Sequence, residues 1–198
     1  MRIACDVDGV ILDLATRFLE MYYGENRSEH EYTRDDWSYW EFYRELGITD
    51  DDVGEMWEAV QLDADRLGFI DDTIPDYLKL LREIGKLDIL TMRKEPARDS
   101  LVSRLLSVGI TRDTHYDNII FVPTTPKDVK VEYDYDIYID DSPHLGRSLM
   151  GVNDKIMILF DQPWNRMLKC GGNVIRARGW IDVYNIVKKI ANKKNKKS

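Results

Sequence analysis

Residues Ile3-Ala4-Cys5-Asp6-Val7-Asp8-Gly9-Val10 decide the fold. The run from Ile3 to Val7 is apolar apart from Asp6 and reads as a buried strand that starts almost at residue 1. Two carboxylates one residue apart stand at its carboxyl end, and Gly9 lets the backbone turn sharply behind them. In an open parallel α/β sheet, ligands bind at this end of the strands. Alone, an Asp-x-Asp-Gly also suits a turn or a calcium-type loop, so the rest of the chain has to choose.

Working outward, strand-like runs recur at Leu87-Asp88-Ile89-Leu90, 118–122, Asp136-Ile137-Tyr138-Ile139, 155–160 and 173–177. Helical patterns fill the gaps at 74–84, 96–108, 143–150 and from 180 to about 190. Gly85, Gly109 and Gly151 follow helical stretches, where a left-handed cap favours glycine, and Pro75, Pro96 and Pro143 stand at helix starts. Strands alternating with helices predict a parallel sheet covered on both faces. Residues 14–73 break the rhythm: they contain no strand-like run and read as wholly helical. A helix at 14–23 leads. Thr33-Arg34-Asp35-Asp36 opens another to about residue 46, and Thr49-Asp50-Asp51-Asp52 opens a third to about residue 61, each with a Thr cap and first-turn carboxylates. The expected organisation is an α/β core from 1–13 and 74–187, a small helical insertion at 14–73 after the first strand, and a basic tail at 188–198.

Composition narrows the function classes. At 198 residues the chain suits one core domain plus an insertion, and 43% hydrophobic content is ample for a packed interior. The longest apolar run, Ile156-Met157-Ile158-Leu159-Phe160, falls far short of the roughly 20 residues of a membrane span. Met1-Arg2-Ile3-Ala4-Cys5-Asp6 does not read as a signal peptide, so a cytoplasmic location is expected, with Cys5 and Cys170 as inert thiols. The net charge of −8 hides six lysines in the tail, so the first 187 residues carry −14. An acidic body opposes duplex binding, and the tail reads as a solvated helix end.

Asp140-Asp141 also ends a predicted strand. Two carboxylates about 4 Å apart repel by about 4 kcal/mol at an effective dielectric near 20, so a cation is expected between them; oxygen-only ligands point to Mg2+. Capping of the helix at Pro143 is the competing reading. Thr91, in Leu90-Thr91-Met92-Arg93, ends another strand, where its hydroxyl and the next amide suit a phosphate oxygen. Lys127 and Lys130 precede Asp140 by thirteen and ten residues, and either can reach back to an acidic site. Arg93 and Lys94 suit either a phosphate or the solvated surface. Trp37, Trp40 and Tyr43, three residues apart, read as one core face of a helix. His30, His115 and His144 are scattered, without the paired spacing of a zinc site.

In chain order the motifs are Asp-x-Asp-Gly-Val, Thr, Lys and Asp-Asp, each beside a strand end. This arrangement resembles the haloacid dehalogenase (HAD) superfamily over nearly the whole chain. The insertion looks like that superfamily's smaller type of cap. Leu-Thr-Met-Arg at 90–93, Ile-Asp-Asp-Ser-Pro at 139–143, Gln162-Pro163-Trp164-Asn165, Arg176 and Gly179-Trp180 are similar to the 5'(3')-deoxyribonucleotidase family, including its bacterial and phage-type members. The Gln162–Asn165 stretch also reads more plainly, as a loop anchored by a Trp in the core.

The resemblance implies a Rossmann-like core and a phosphatase of (deoxy)ribonucleoside monophosphates. Asp6 is then the nucleophile, forming an aspartyl-phosphate, and Asp8 the general acid and base. Mg2+ is held by Asp6, the backbone carbonyl of Asp8, Asp140 and Asp141. Thr91, the Met92 amide and a lysine hold the phosphate oxygens. The ten-residue spacing to Asp140 fits the family for Lys130; Lys127 is the rival. One or two cap aromatics stack on the base, and a homodimer is plausible. Other readings are a HAD phosphatase of another small phosphate ester, a phosphatase of nucleic-acid 3'-phosphate ends, and a non-catalytic HAD-like binding domain.

Overall fold

A computed structural model describes residues 1–24 and 32–195. Six strands form one parallel sheet: β1 (Arg2–Cys5), β4 (Lys86–Thr91), β5 (Ile119–Phe121), β6 (Ile137–Asp140), β7 (Ile156–Phe160) and β8 (Val174–Ala177), in the order β5-β4-β1-β6-β7-β8. A separate antiparallel ribbon pairs β2 (Leu12–Asp13) with β3 (Gly68–Phe69). The helices are α1 (Leu14–Tyr23), α2 (Asp50–Leu62), α3 (Ile74–Ile84), α4 (Arg98–Leu106), α5 (Pro143–Leu149) and α6 (Trp180–Asn195). None of them, among the described residues, is long and apolar enough to cross a membrane. This is the expected Rossmann-like α/β architecture.

Alternation along the strands builds the two layers. Ile3 and Cys5 of β1 face one buried cluster, together with Ile89, Ile137, Ile139 and Ile158; Ala4 faces the other, with Leu90, Tyr138 and Leu159. The first cluster continues without a break into Phe18, Trp37, Phe42, Val53 and Val60 of the segment after β2. β1 is the switch point: the chain builds β4 and β5 on one side of it, then returns to place β6, β7 and β8 on the other. Ligand crevices of such sheets form at this point, beyond the carboxyl ends.

Several local expectations are corrected. Residues 14–73 are not wholly helical, because Gly68–Phe69 pairs with the chain just before α1 and closes the segment with a ribbon. Residues 33–46 form two short 3-10 turns, Arg34–Asp36 and Phe42–Leu46, not one helix. Asp36 explains the first: its carboxylate accepts from the Thr33 amide (2.8 Å) and hydroxyl (2.7 Å), closing the turn on itself. Aromatic crowding at 37–43 also disfavours helical continuation. Trp37, Trp40 and Tyr43 therefore do not share a helix face; Trp37 is buried and the other two are half-buried.

Gly109 and Gly151 take the left-handed conformation expected of them, at φ 79° and 80°. Gly85 does not; it is extended, and a Cβ there would stand 2.7 Å from the Met1 carbonyl oxygen. Its side-chain-free face is needed for space, not for handedness. α6 runs five residues beyond the expected end, to Asn195. His30 lies outside the described residues.

Candidate active site

The sheet register brings the motifs together. Cys5 is level with Ile89 of β4 and Ile139 of β6, so Asp6, Thr91 and Asp140 leave the sheet at one edge. The Asp6 amide donates to the Ile139 carbonyl (2.9 Å), tying the first motif to the strand that carries the acidic pair. Behind it the chain reverses tightly, with Ile11 N donating to Val7 O (2.8 Å) and Gly9 at φ 78°. A Cβ at Gly9 would lie 2.1 Å from Asp141 Oδ2, so this position demands glycine twice over.

Asp6, Asp140 and Asp141 each offer an oxygen, and these atoms lie within 4.8 Å of one another. Lys130 reaches between two of them, with Nζ 2.8 Å from Asp6 Oδ1 and 2.6 Å from Asp140 Oδ2. Its side chain is only 4% exposed, whereas Lys127 is exposed on the surface. The Val7 amide also donates to Asp6 Oδ1 (2.7 Å), and the Ser142 amide to Asp140 Oδ1 (2.8 Å). Burial, opposed by Lys130 and reinforced by Asp140 and Asp8, pushes the Asp6 carboxyl up to about 7. Burial and then the charges of Asp140 and Asp6 push Asp141 well above the usual carboxylate range. Burial alone would pull Lys130 down, but Asp140 and Asp6 outweigh it and hold the ammonium above the ordinary lysine range. Three crowded carboxylates with one lysine leave room, in charge and in donor chemistry, for a divalent cation bound by oxygen.

Thr91 is wholly buried at the end of β4, and its Oγ1 accepts from the Arg93 amide (3.2 Å). Met92, half-buried, packs against the second cluster. Arg93 is neither a solvated charge nor a free phosphate ligand here. It is buried and paired with Asp8 through two contacts, Nη2 to Oδ1 (2.6 Å) and Nε to Oδ2 (3.0 Å). Lys94 pairs with Glu58 of α2.

The loop after β7 supplies groups whose contacts sequence reasoning did not assign. Trp164 Nε1 donates to Asp141 Oδ2 (2.9 Å), and Asn165 Nδ2 donates to the Asp141 carbonyl (2.9 Å) and the Phe160 carbonyl (2.7 Å). Gln162 Nε2 donates to the Gly9 carbonyl (2.5 Å), and Arg176 Nη1 holds Asn165 Oδ1 (2.6 Å). Trp164 therefore anchors the site and not merely its own loop. The available signal was position: the stretch directly follows a strand that ends at the same edge. His144, in the first turn of α5, packs edge-on against Trp40 at 5.7 Å and faces Glu41 at 3.9 Å.

The parallel sheet switching at β1 is a fold shared with a solved HAD-superfamily hydrolase, and here carboxylates stand at the ends of β1 and β6. The chain belongs to the family described as 5' nucleotidase, deoxy (pyrimidine), cytosolic type C protein, whose model matches residues 1–194. It is thus a phosphatase, a nucleotidase acting on phosphate monoesters. No curated protein matches it. Among solved structures it is similar to an L-2-haloacid dehalogenase from Xanthobacter autotrophicus (14% identity, 94% of this chain and 98% of that one, TM-score 0.58). It is also similar to the Protein Tyrosine Kinase A of Mycobacterium tuberculosis (14%, 94% and 97%, TM-score 0.61). A third is a HAD-superfamily hydrolase of subfamily IA from Geobacter sulfurreducens (14%, 94% and 95%, TM-score 0.50). At such identities the likeness shows the fold alone.

Proposed function

We propose that this chain is a Mg2+-dependent phosphatase of nucleoside monophosphates that works through a phosphorylated Asp6. The observation that carries the reading is the Asp6–Lys130–Asp140 contact set at the end of β1, with Asp8 two residues on and Asp141 alongside. Asp6, Asp140, Asp141 and the Asp8 carbonyl would hold Mg2+, which supplies positive charge for the transferring phosphoryl group when bound.

The chain's own residues carry the rest. A carboxylate oxygen of Asp6 attacks phosphorus, and the bond from phosphorus to the ester oxygen breaks. Asp8 gives its proton to that leaving oxygen. Asp8 then takes a proton from water, whose oxygen attacks the same phosphorus; the Asp6–phosphorus bond breaks and inorganic phosphate leaves. Lys130 holds Asp6 in place and offers charge to the phosphate oxygens, as do the Thr91 hydroxyl and the Met92 amide. The 14–73 segment acts as the cap. Phe18 and Trp37 are spent in its packing, while half-buried Trp40, resting on His144 three residues after Asp141 in the chain, is the aromatic we assign to the base.

The test is phosphate release from a panel of nucleoside 5'- and 3'-monophosphates and sugar phosphates, with Mg2+ and with EDTA. Metal-dependent release from nucleotides is expected. Release from sugar phosphates alone would overturn the substrate, and release only from polymer 3'-ends would move the enzyme to nucleic acid. A folded, Mg2+-binding chain with no release at all would leave the non-catalytic reading.

A further inference from the structure

Arg93 touches two parts of the molecule at once. Its side chain is wholly buried. Nε and Nη2 clamp both oxygens of Asp8, and Nη1 reaches the carbonyl of Gln61 (3.4 Å), in the last turn of α2. A helix carboxyl end carries partial negative charge, so a guanidinium is well placed there. The same end of α2 is seated by three further contacts. Lys94 pairs with Glu58, the Lys94 amide donates to Gln61 Oε1 (3.3 Å), and Ser100 Oγ donates to the Gln61 carbonyl (3.4 Å).

We propose that Arg93 is a positioning residue that couples the seating of α2 to the orientation of the Asp8 carboxylate. The guanidinium is a rigid planar fork, so its bidentate grip fixes Asp8 in angle as well as distance. Because the same plane also contacts α2, a shift of that helix is passed to Asp8. A compact ammonium reproduces the charge but not the fork. The inference rests on the reading of Asp8 as acid and base.

The experiment compares wild type, Arg93→Met, Arg93→Lys, Glu58→Gln and the Arg93→Met/Glu58→Gln double variant in the full chain. Melting curves and Mg2+ titration verify that each is folded. Two substrates are used: a nucleoside monophosphate, whose leaving alkoxide needs a proton, and p-nitrophenyl phosphate, whose leaving group does not. Arg93→Met is expected to lose about 100-fold in kcat on the nucleotide with little change in KM. On p-nitrophenyl phosphate its first turnover keeps the wild-type rate and later turnovers slow, giving a burst, because hydrolysis of the phosphorylated Asp6 still needs Asp8. Arg93→Lys stays defective. Glu58→Gln lowers nucleotide kcat by up to about fivefold, the reach of an exposed ion pair, and adds nothing in the Arg93→Met background.

Equal loss on both first turnovers, full rescue by lysine, or additive losses in the double variant would overturn the coupling. Inactivity of the wild type on both substrates would instead overturn the proposed function.

Discussion

Lys127 and Lys130 lie three residues apart and occupy different surroundings. One is in solvent; the other sits between two carboxylates. Lys130→Ala should lower kcat by about 10²- to 10³-fold, the loss typical of removing a preorganised charge. Lys127→Ala should change stability by no more than about 0.5 kcal/mol and leave turnover near wild type. Steady-state kinetics of the pair decides, and the reverse ranking would overturn the assignment. Sequence spacing could favour Lys130, but burial is what separates the two, and burial depends on how the chain from Val129 to Glu132 turns and packs against α5.

Arg93 was legible only as a charge near a strand end, because its partner lies 85 residues away. His115 gives a pH test remote from the site. Burial lowers its imidazole below the ordinary value, and its Nδ1 accepts from the Thr111 amide (3.0 Å), a bond the neutral ring makes. The unfolded chain takes up a proton near pH 6.5 while the folded chain resists it, so this stability is complete above about 6.5 and falls as pH drops below. Thermal melts from pH 7 to 5 should show a shallower decline for His115→Gln; parallel slopes would refute it.

At the scale of elements, the 162–165 loop and the turn at Gly9 work on the same carboxylate. Trp164→Phe keeps the ring volume largely in place and removes the donor to Asp141 Oδ2. Mg2+ binding, measured by calorimetric titration, should weaken by about 10- to 100-fold, the usual cost of losing a group that orients a metal ligand. Unchanged affinity would reduce Trp164 to packing. Gly9→Ala forces a left-handed backbone costing about 1–2 kcal/mol and drives a methyl into Asp141, so both melting temperature and Mg2+ affinity should fall.

Strands and helices of the sheet were readable from alternation and periodicity, since those residues are buried by a regular layer. The 33–46 turns were not. Their pattern of aromatics at threes imitates a helix, and only the local capping by Asp36 and the packing of Trp37 against Phe18 and Trp57 reveal otherwise. The β2–β3 ribbon, two residues a side, is too short to leave a sequence signature.

For the whole molecule, one apolar cluster runs from the sheet through the 14–73 segment. Heating should therefore give a single cooperative transition in calorimetry. Mg2+ at about 100 times its dissociation constant should raise stability by about 2.7 kcal/mol through binding to the folded chain alone. Asp141→Asn should diminish that gain. Two resolved transitions would show that the segment unfolds by itself.

The sheet order also has a consequence for synthesis. Within this sheet β1 precedes its neighbours in the chain and lies between β4 and β6, yet β6, which covers its second edge, begins only at Ile137. Until β6 is made the emerging chain carries an apolar strand paired on one side at best, the kind of edge that recruits other chains. Asp6 thus leaves the ribosome well before Lys130, Asp140 and Asp141, which come to surround it, so the growing chain has a period of exposure in which a chaperone would find its natural purchase.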